Sequence, residues 1–183
     1  MATLTSQFGR LRDLTSFLDK DVGGDHRAVQ AKTLDLLARD RARANVVSLL
    51  EELSGERGLG WSDIARLVGV SVQAITKWRR GESVSGEKRL AVARLAALLE
   101  LLTDVPIADP AGWLEMPVLS GFSVRHLDFY ASGRPDLLFD LAHLRVRPED
   151  ALAELDPAWR EQYKLEHEVY QAEDGQLSVR RLR

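Results

Sequence analysis

The stretch from Gly60 to Gly81, GWSDIARLVGVSVQAITKWRRG, constrains the fold of this chain more than any other part of its sequence. Apolar residues recur at helical spacing on both sides of Gly69, which can adopt a positive φ at no steric cost. Ser62 is expected to cap the helix before this glycine, and Ser71 is expected to cap the helix after it. The stretch therefore predicts two short helices joined by a tight turn.

The same periodicity assigns an inner and an outer face to the second helix. Ile75 and Trp78 recur on one side and are expected to hold the helix on the core, and Gly81 is expected to end it. In a helix-turn-helix, the outer face of the second helix enters the major groove of DNA. Six residues remain on that face here: Ser71, Val72, Gln73, Thr76, Lys77 and Arg80.

The side chains of the outer face have the chemistry that base recognition requires. Gln73 can pair with adenine through two hydrogen bonds, and Lys77 can donate to the acceptors of guanine. Val72 and Thr76 can contact the methyl group of thymine. Four polar residues also suit phosphates, which position a protein without reading sequence, namely Ser71, Arg79, Arg80 and Lys88.

Charge is distributed unevenly along the chain, although the formal net charge is only −3. Residues 57–94 contain eight Lys or Arg and three Asp or Glu, whereas residues 103–183 contain nine Lys or Arg and fifteen Asp or Glu. Phosphates would be attracted to the first segment and repelled by the second. A helical hairpin with a solvated basic face, used only for protein contacts, is the alternative interpretation; the local positive balance favours DNA.

Helical signals continue on both sides of this stretch, and strand signals are almost absent. Residues 28–43 predict a helix whose apolar side carries Val29, Leu34, Leu37 and Ala38. Proline and glycine boundaries after residue 103 predict several short helices, the last of which runs from Pro157 to about Glu173. The whole chain is therefore expected to be all-α. We divide it into an N-terminal helical extension (1–44), a helix-turn-helix domain (45–102) and a helical C-terminal domain (103–183).

Residues 45–102 resemble the Xre (Cro/C1-type) helix-turn-helix family, and the segment from Ile64 to Gly81 carries the signature of that family. The matching residues are Ala65, Gly69, Ser71, Ile75, Trp78 and Gly81. The resemblance implies a lambda-repressor-like fold and recognition of a palindromic operator in double-stranded DNA by a homodimer. It also implies that Ser71, Val72, Gln73 and Lys77 read the groove. Two segments have apolar faces suited to dimerisation, residues 28–56 and residues 157–173.

Residues 103–145 are similar to the toxin-binding domain of Xre/MbcA/ParS-type antitoxins. The similarity lies in the order of Trp113-Leu114, Pro117, Gly121, Leu127, Gly133 and Leu137-Leu138. That family usually has a proline after its glycine turn, where this chain has Phe122-Ser123-Val124. The resemblance implies an antitoxin that represses its own operon and neutralises a partner toxin, such as a RES-domain enzyme. The contacts that it implies with the toxin involve Trp113, Arg134, Arg180, Arg181 and Arg183.

The alternative is a stand-alone dimeric transcriptional regulator, whose C-terminal helices serve dimerisation or ligand sensing. In that case Trp113 belongs to an ordinary core and Arg134 is a loop residue. The acidic balance of the C-terminal half fits either function. A neighbouring gene of toxin size would favour the antitoxin.

Motifs of enzymes, metal sites and membrane proteins are missing from the sequence. There is no phosphate-binding glycine loop, no nucleophile elbow and no dinucleotide-binding fingerprint. With no cysteine and four scattered histidines, neither a metal site nor a cofactor is expected. No apolar run is long enough to span a bilayer, and Met1–Arg12 lacks the apolar core of a signal peptide. We therefore expect a cytoplasmic DNA-binding protein that is not an enzyme.

Overall fold

The computed structural model describes residues 24–171 and 177–181, which form ten helices and one two-stranded hairpin. Helix α1 spans residues 24–41. The helices that follow are α2 (Val46–Glu51, continued by a π-helical turn over Glu52–Glu56), α3 (Trp61–Val68), α4 (Val72–Arg79), α5 (Gly86–Thr103), α6 (Pro110–Glu115), α7 (His126–Ala131), α8 (Pro135–Ala142), α9 (Pro148–Leu155) and α10 (Trp159–Gln162). The hairpin consists of β1 (His167–Gln171) and β2 (Leu177–Arg181). None of the helices in these ranges is long and apolar enough to cross a membrane.

Helix α5 is the centre of the core. The buried apolar side chains form one cluster that runs from Leu34 on α1 to Trp159 on α10. Eight residues of α5 are buried: Val92, Ala93, Leu95, Ala96, Ala97, Leu98, Leu99 and Leu102. A helix that is apolar on most sides needs neighbours on most sides, and α5 packs against α2, α3 and α6. It therefore supports the α3–α4 pair and the C-terminal helices on the same core.

The C-terminal helices also contact the α3–α4 pair directly. Helix α3 packs against α7, where the Arg66 guanidinium donates to the Asp128 carboxylate. The Arg125 guanidinium lies 3.7 Å from a carboxylate oxygen of Asp63 on α3. The expected boundary between residues 102 and 103 falls at the end of α5, and the helices beyond it return to α3. The position of α3 is thus held from both sides of that boundary.

The all-α fold class is confirmed, but the expected faces of α1 are partly wrong. Leu34 and Ala38 are buried and Leu37 is half-buried, whereas the side chain of Val29 is 63% exposed. Val29 precedes Leu34 by five residues, which places it about 140° around the helix. The buried side of α1 is therefore narrower than the sequence indicated. The described part of the chain is already helical at residue 24, before the expected start at residue 28, and the helix ends at residue 41, two residues earlier than expected.

The expected helix from Pro157 to about Glu173 is wrong. Helix α10 ends at Gln162, and β1 pairs antiparallel with β2, with Val169 opposite Val179. The chain leaves the helix because it pairs with a loop: the amide of Leu165 donates to the carbonyl of Gly121 at 2.9 Å. In the segment beyond, the β-branched Val169 and Val179 and the aromatic Tyr170 suit paired strands.

Candidate nucleic-acid interface

Helix α3 begins two residues earlier than its sequence suggested. Its N-cap is Gly60, and Ser62 lies exposed within the first turn, so the expected cap at Ser62 is wrong. Trp61 is the first helical residue, and the Arg79 guanidinium lies 4.1 Å from the centre of its ring. This cation–π contact joins the start of α3 to the end of α4. Packing of Trp61, rather than capping by serine, thus determines where α3 begins.

The turn between α3 and α4 has the conformation that the sequence predicted. Gly69 has a φ of 69°, in the left-handed region that glycine adopts without strain. The amide of Val70 donates to the carbonyl of Ala65 at 2.9 Å, which closes the end of α3. Ser71 caps α4, since its hydroxyl accepts a hydrogen bond from the amide of Ala74 at 3.2 Å. The two helices are therefore joined by three residues with a defined backbone geometry.

Helix α4 has one anchored face and one exposed face. Ile75 and Trp78 are buried against the core, as expected. The exposed residues are Ser71, Val72, Gln73, Lys77, Arg79 and Arg80. Thr76 is half-buried, and its hydroxyl donates to the carbonyl of Val72 at 3.0 Å. All five residues predicted to read bases thus lie together on this short helix and its cap, with Thr76 offering its methyl group rather than its hydroxyl.

The charged groups of this face are largely uncompensated. Among residues 24–166, neither Lys77 nor Arg80 forms an ion pair with a carboxylate. Gln73 and Lys77 are four residues apart, which places their side chains next to each other on the helix. An amide and an ammonium group side by side can donate to neighbouring acceptors on a flat polar surface. Val72 adds an apolar side chain that is 43% exposed.

Lys88 is placed differently from the other predicted phosphate ligands. Its ammonium group is 3.3 Å from the carbonyl oxygen of Gly69 and 3.5 Å from that of Val68. It therefore donates to carbonyls at the end of α3, where a helix has unpaired acceptors and a partial negative charge. The aliphatic part of Lys88 is half-buried beside the turn. This use of its charge competes with a phosphate contact.

Two arginines that the sequence analysis did not assign to DNA lie near the end of α4. A cleft of about 380 Å³ is lined by Arg43, Asn45, Trp78, Ser83 and Arg89, among others. In the described part of the chain Arg89 has no carboxylate partner, and Arg43 pairs only with the exposed Asp40. Exposed pairs of this kind contribute little. The excess of positive charge in residues 57–94 was the available signal for Arg89.

The residues implied by the antitoxin resemblance lie on different elements of the fold. The Trp113 ring on α6 stacks on the His126 ring, with centroids 4.0 Å apart. Burial lowers the pKa of His126, and its Nδ1 lies 3.0 Å from the carbonyl oxygen of Met116. Trp113 is half-buried, so most of its surface serves internal packing. Arg180 and Arg181 lie on β2, and Arg183 lies outside the described residues.

Arg134 belongs to a network of ion pairs that joins α1 to α8 and α9. It donates to Asp136 at 2.7 Å and to Glu154 at 2.6 Å. Arg27 on α1 donates to Asp140 at 2.6 Å and to Glu154 at 2.8 Å. Burial alone would raise the pKa of Asp136, but the hydrogen bond and charge of Arg134 lower it overall. The guanidinium of Arg134 is therefore occupied within the chain.

In the described part of the chain, no metal-binding cluster competes with the surface on α4. Within the ranges that the structure describes, no three His, Asp or Glu side chains come together as a metal site requires. An apolar groove lies elsewhere, between α6 and the end of α8. Comparison with known proteins does not narrow the choice: no family model matches the chain, and no curated protein or solved structure matches it.

Proposed function

We propose that this protein is a sequence-specific DNA-binding transcriptional repressor that reads a palindromic operator as a homodimer. The observation that carries the proposal is the division of α4 into an anchored and an exposed face. Ile75 and Trp78 are buried, while Gln73 and Lys77 are exposed on the other side. In helix-turn-helix proteins, a helix held in this way enters the major groove.

Recognition by this face would depend on hydrogen bonds and apolar contacts. The Gln73 amide nitrogen can donate to N7 of adenine while its carbonyl oxygen accepts from the N6 amino group, and the Lys77 ammonium can donate to N7 and O6 of guanine. Val72 can contact a thymine methyl group. Because Ser71 caps α4 and Trp78 anchors it, little conformational freedom is lost when the helix binds.

Phosphate contacts would hold α4 in register on the duplex. Arg80 lies at the C-terminal end of α4, and Arg43 and Arg89 line the adjoining cleft. The two ends of a helix that lies in the major groove approach the sugar-phosphate backbones. Arg79 already stacks on Trp61, which leaves the outward N–H groups of its guanidinium to donate. We assign phosphates to Arg79, Arg80 and Arg89 before Lys88, whose ammonium group is engaged by α3.

The proposal is tested by selecting bound sequences from a library of random DNA duplexes. Wild-type protein is expected to enrich one palindromic motif. The double variant Gln73→Ala, Lys77→Ala removes two base-reading groups without disturbing buried residues. It is expected to bind the selected site about 25-fold or more weakly, because each base-specific pair is worth about 1–3 kcal/mol. Its binding to unrelated duplex should change much less.

Lys32→Ala provides a control with the same charge change as the lysine substitution, since Lys32 is exposed on α1. This variant is expected to enrich the same motif as wild-type protein. Unchanged sequence preference in the double variant would refute the assignment of α4 as the reading helix. Failure of wild-type protein to enrich any motif would favour the alternative, in which the helix pair makes protein contacts only.

The C-terminal half leaves two versions of this function, an antitoxin and a stand-alone regulator. The antitoxin version rests on the resemblance of residues 103–145, and the internal roles of Trp113 and Arg134 give it no added support. A pull-down from native extract, with and without nuclease, distinguishes the two. A stoichiometric small protein that survives nuclease treatment supports the antitoxin. Recovery of DNA with no protein partner supports the stand-alone dimeric regulator.

A further inference from the structure

Leu144 has a backbone conformation that leucine rarely adopts. It follows the end of α8 with a φ of 57°, and among the described residues it is the one non-glycine with a positive φ. The amide of Leu144 donates to the carbonyl of Leu141 at 3.0 Å, and the amide of Arg145 donates to that of Asp140 at 2.8 Å. This left-handed helix end usually has glycine at the equivalent position, because a Cβ atom is disfavoured there.

The same chain uses glycine where it builds comparable helix ends. Gly69 follows α3 with a φ of 69°, and Gly133 follows α7 with a φ of 74°. The amides around Gly133 close α7 in the same way, since Arg134 donates to the carbonyl of Phe129 at 2.8 Å. A leucine at the end of α8 is therefore unfavourable for the fold of the single chain. Strain of this kind is a reason to look for a function of the side chain.

The Leu144 side chain gains nothing from the monomer that would offset this strain. It is 90% exposed, and Met116 nearby is 58% exposed. Both residues line a groove of about 620 Å³. The other apolar residues of the groove are Pro106, Ile107, Ala108, Trp113, Leu141 and Ala142. A projecting leucine thus stands beside an apolar groove wide enough to take a side chain of the same kind.

The charges on the two sides of the groove are opposite, so two copies of the groove would complement each other. On its α6 side, Asp109 lines the groove and Glu115 lies exposed beside Met116. On its α8 side, Arg145 follows Leu144 directly and is exposed. In the part of the chain that the structure describes, neither Glu115 nor Arg145 forms an ion pair. A two-fold axis through the groove would bring the basic side of one copy against the acidic side of the other.

We propose that this groove is the homodimer interface, with Leu144 of each copy seated in the groove of the other. A protruding side chain beside a matching groove is the arrangement that a two-fold, self-complementary interface requires. This interface rests on the proposed function, which requires a dimer. It adds to that function the surface through which two copies pair. It replaces the two segments suggested by the sequence, residues 28–56 and 157–173.

The test measures the dimer dissociation constant by sedimentation equilibrium without DNA. Leu144→Asn removes the apolar side chain, and asparagine tolerates the left-handed region, so the fold should be retained or stabilised. Because two leucines are lost per dimer, the dissociation constant is expected to rise about 100-fold. Leu36→Asn is the matched control, since Leu36 is exposed on α1 within one of the segments named by the sequence. It should leave the dissociation constant unchanged.

Cross-linking gives a second readout, because the chain contains no cysteine. Leu144→Cys with a short bismaleimide is expected to give covalent dimers, whereas Leu36→Cys is expected to give none. Three results would overturn the inference: a Leu144→Asn variant that dimerises as tightly as wild type, cross-links that form through Leu36→Cys but not through Leu144→Cys, or a wild-type chain that is monomeric at high micromolar concentration. The last result would leave the groove to another occupant, such as residues 1–23. Since no DNA is present, these results are independent of the selection experiment on α4.

Discussion

Lys88 can have a structural role or a DNA-binding role, and the substitution Lys88→Met distinguishes the two. The sequence assigns this residue to phosphates, whereas its ammonium group donates to the carbonyls of Gly69 and Val68. Methionine keeps the length and apolar character of the lysine stem. The substitution therefore removes the charge and the two hydrogen bonds while leaving the packing nearly intact.

The expected loss of stability follows from the geometry of the two bonds. Hydrogen bonds that involve a charged group contribute about 1.5–3 kcal/mol when short and buried. A cation at an exposed helix C-terminus contributes about 0.3–1 kcal/mol. At 3.3 and 3.5 Å the bonds are long, and the Lys88 side chain is 32% exposed. We therefore expect the free energy of unfolding to fall by about 1 kcal/mol, close to the range for an exposed helix C-terminus. This corresponds to a fall in Tm of about 2–4 °C.

The effect on DNA binding is measured as the slope of the logarithm of affinity against the logarithm of salt concentration. Each phosphate contact contributes about 0.9 to this slope. Lys88→Met is expected to leave the slope unchanged. Arg80→Gln is expected to show the opposite pattern, with a slope smaller by about one unit and stability within about 0.5 kcal/mol of wild type. Lys32→Met, on the exposed face of α1, serves as the control for loss of a lysine.

One combination of results would exclude a structural role for Lys88. If Lys88→Met has the Tm of wild-type protein and a slope reduced by about one unit, the residue contacts phosphate and does not stabilise the turn. If both quantities fall, Lys88 exchanges its carbonyl partners for phosphate when DNA binds. The assignment of phosphates to Arg80 and Arg89 before Lys88 would then need revision.

Two further predictions concern the turn and the ion-pair network. Gly69→Ala is expected to lower the free energy of unfolding, measured by chemical denaturation, by about 1–2 kcal/mol, because an L residue is strained at this φ. The strain acts alone, since the added Cβ would meet nothing closer than the Lys88 ammonium at 3.8 Å. Gly86→Ala, at a position with open space and no positive φ, should cost nothing, and equal losses in both variants would contradict this account. The arginine partners of Asp136 and Glu154 lower the pKa values of both carboxyl groups. The two carboxylates therefore contribute stability above their ordinary pKa values of 3.8 and 4.5, and this contribution is lost as pH falls below those values. Arg134→Met should therefore destabilise the protein more at pH 7 than at pH 3 in thermal unfolding, and an equal effect at both values would show that the network does not titrate as expected.

The sequence predicted the local structure around α4 well because that structure depends on neighbouring residues. The cap at Ser71 and the turn at Gly69 follow from interactions over three or four residues. The burial of Ile75 and Trp78 follows from the helical period. The predicted cap at Ser62 does not form. There, a cation–π contact joins Trp61 to Arg79, which lies eighteen positions later in the sequence.

Other features depended on contacts between segments that are far apart in the chain. The C-terminal helix ends at Gln162 because residues 163–165 pair with residues 121–123. The local sequence near residue 163 does not indicate this distant partner. Arg89 came to lie beside the end of α4 through the packing of α5 and α2.

What the sequence determined by itself was therefore the helical character of the chain and the identity of the residues on the outer face of α4. Both follow from periodicity and capping, which act within one or two helical turns. Only the tertiary structure decided that Lys88 binds the end of α3, that Arg134 is engaged by Asp136 and Glu154, and that Leu144 projects beside an apolar groove. The physical reason is that these contacts join residues of different helices, and their partners are selected by how the whole core packs.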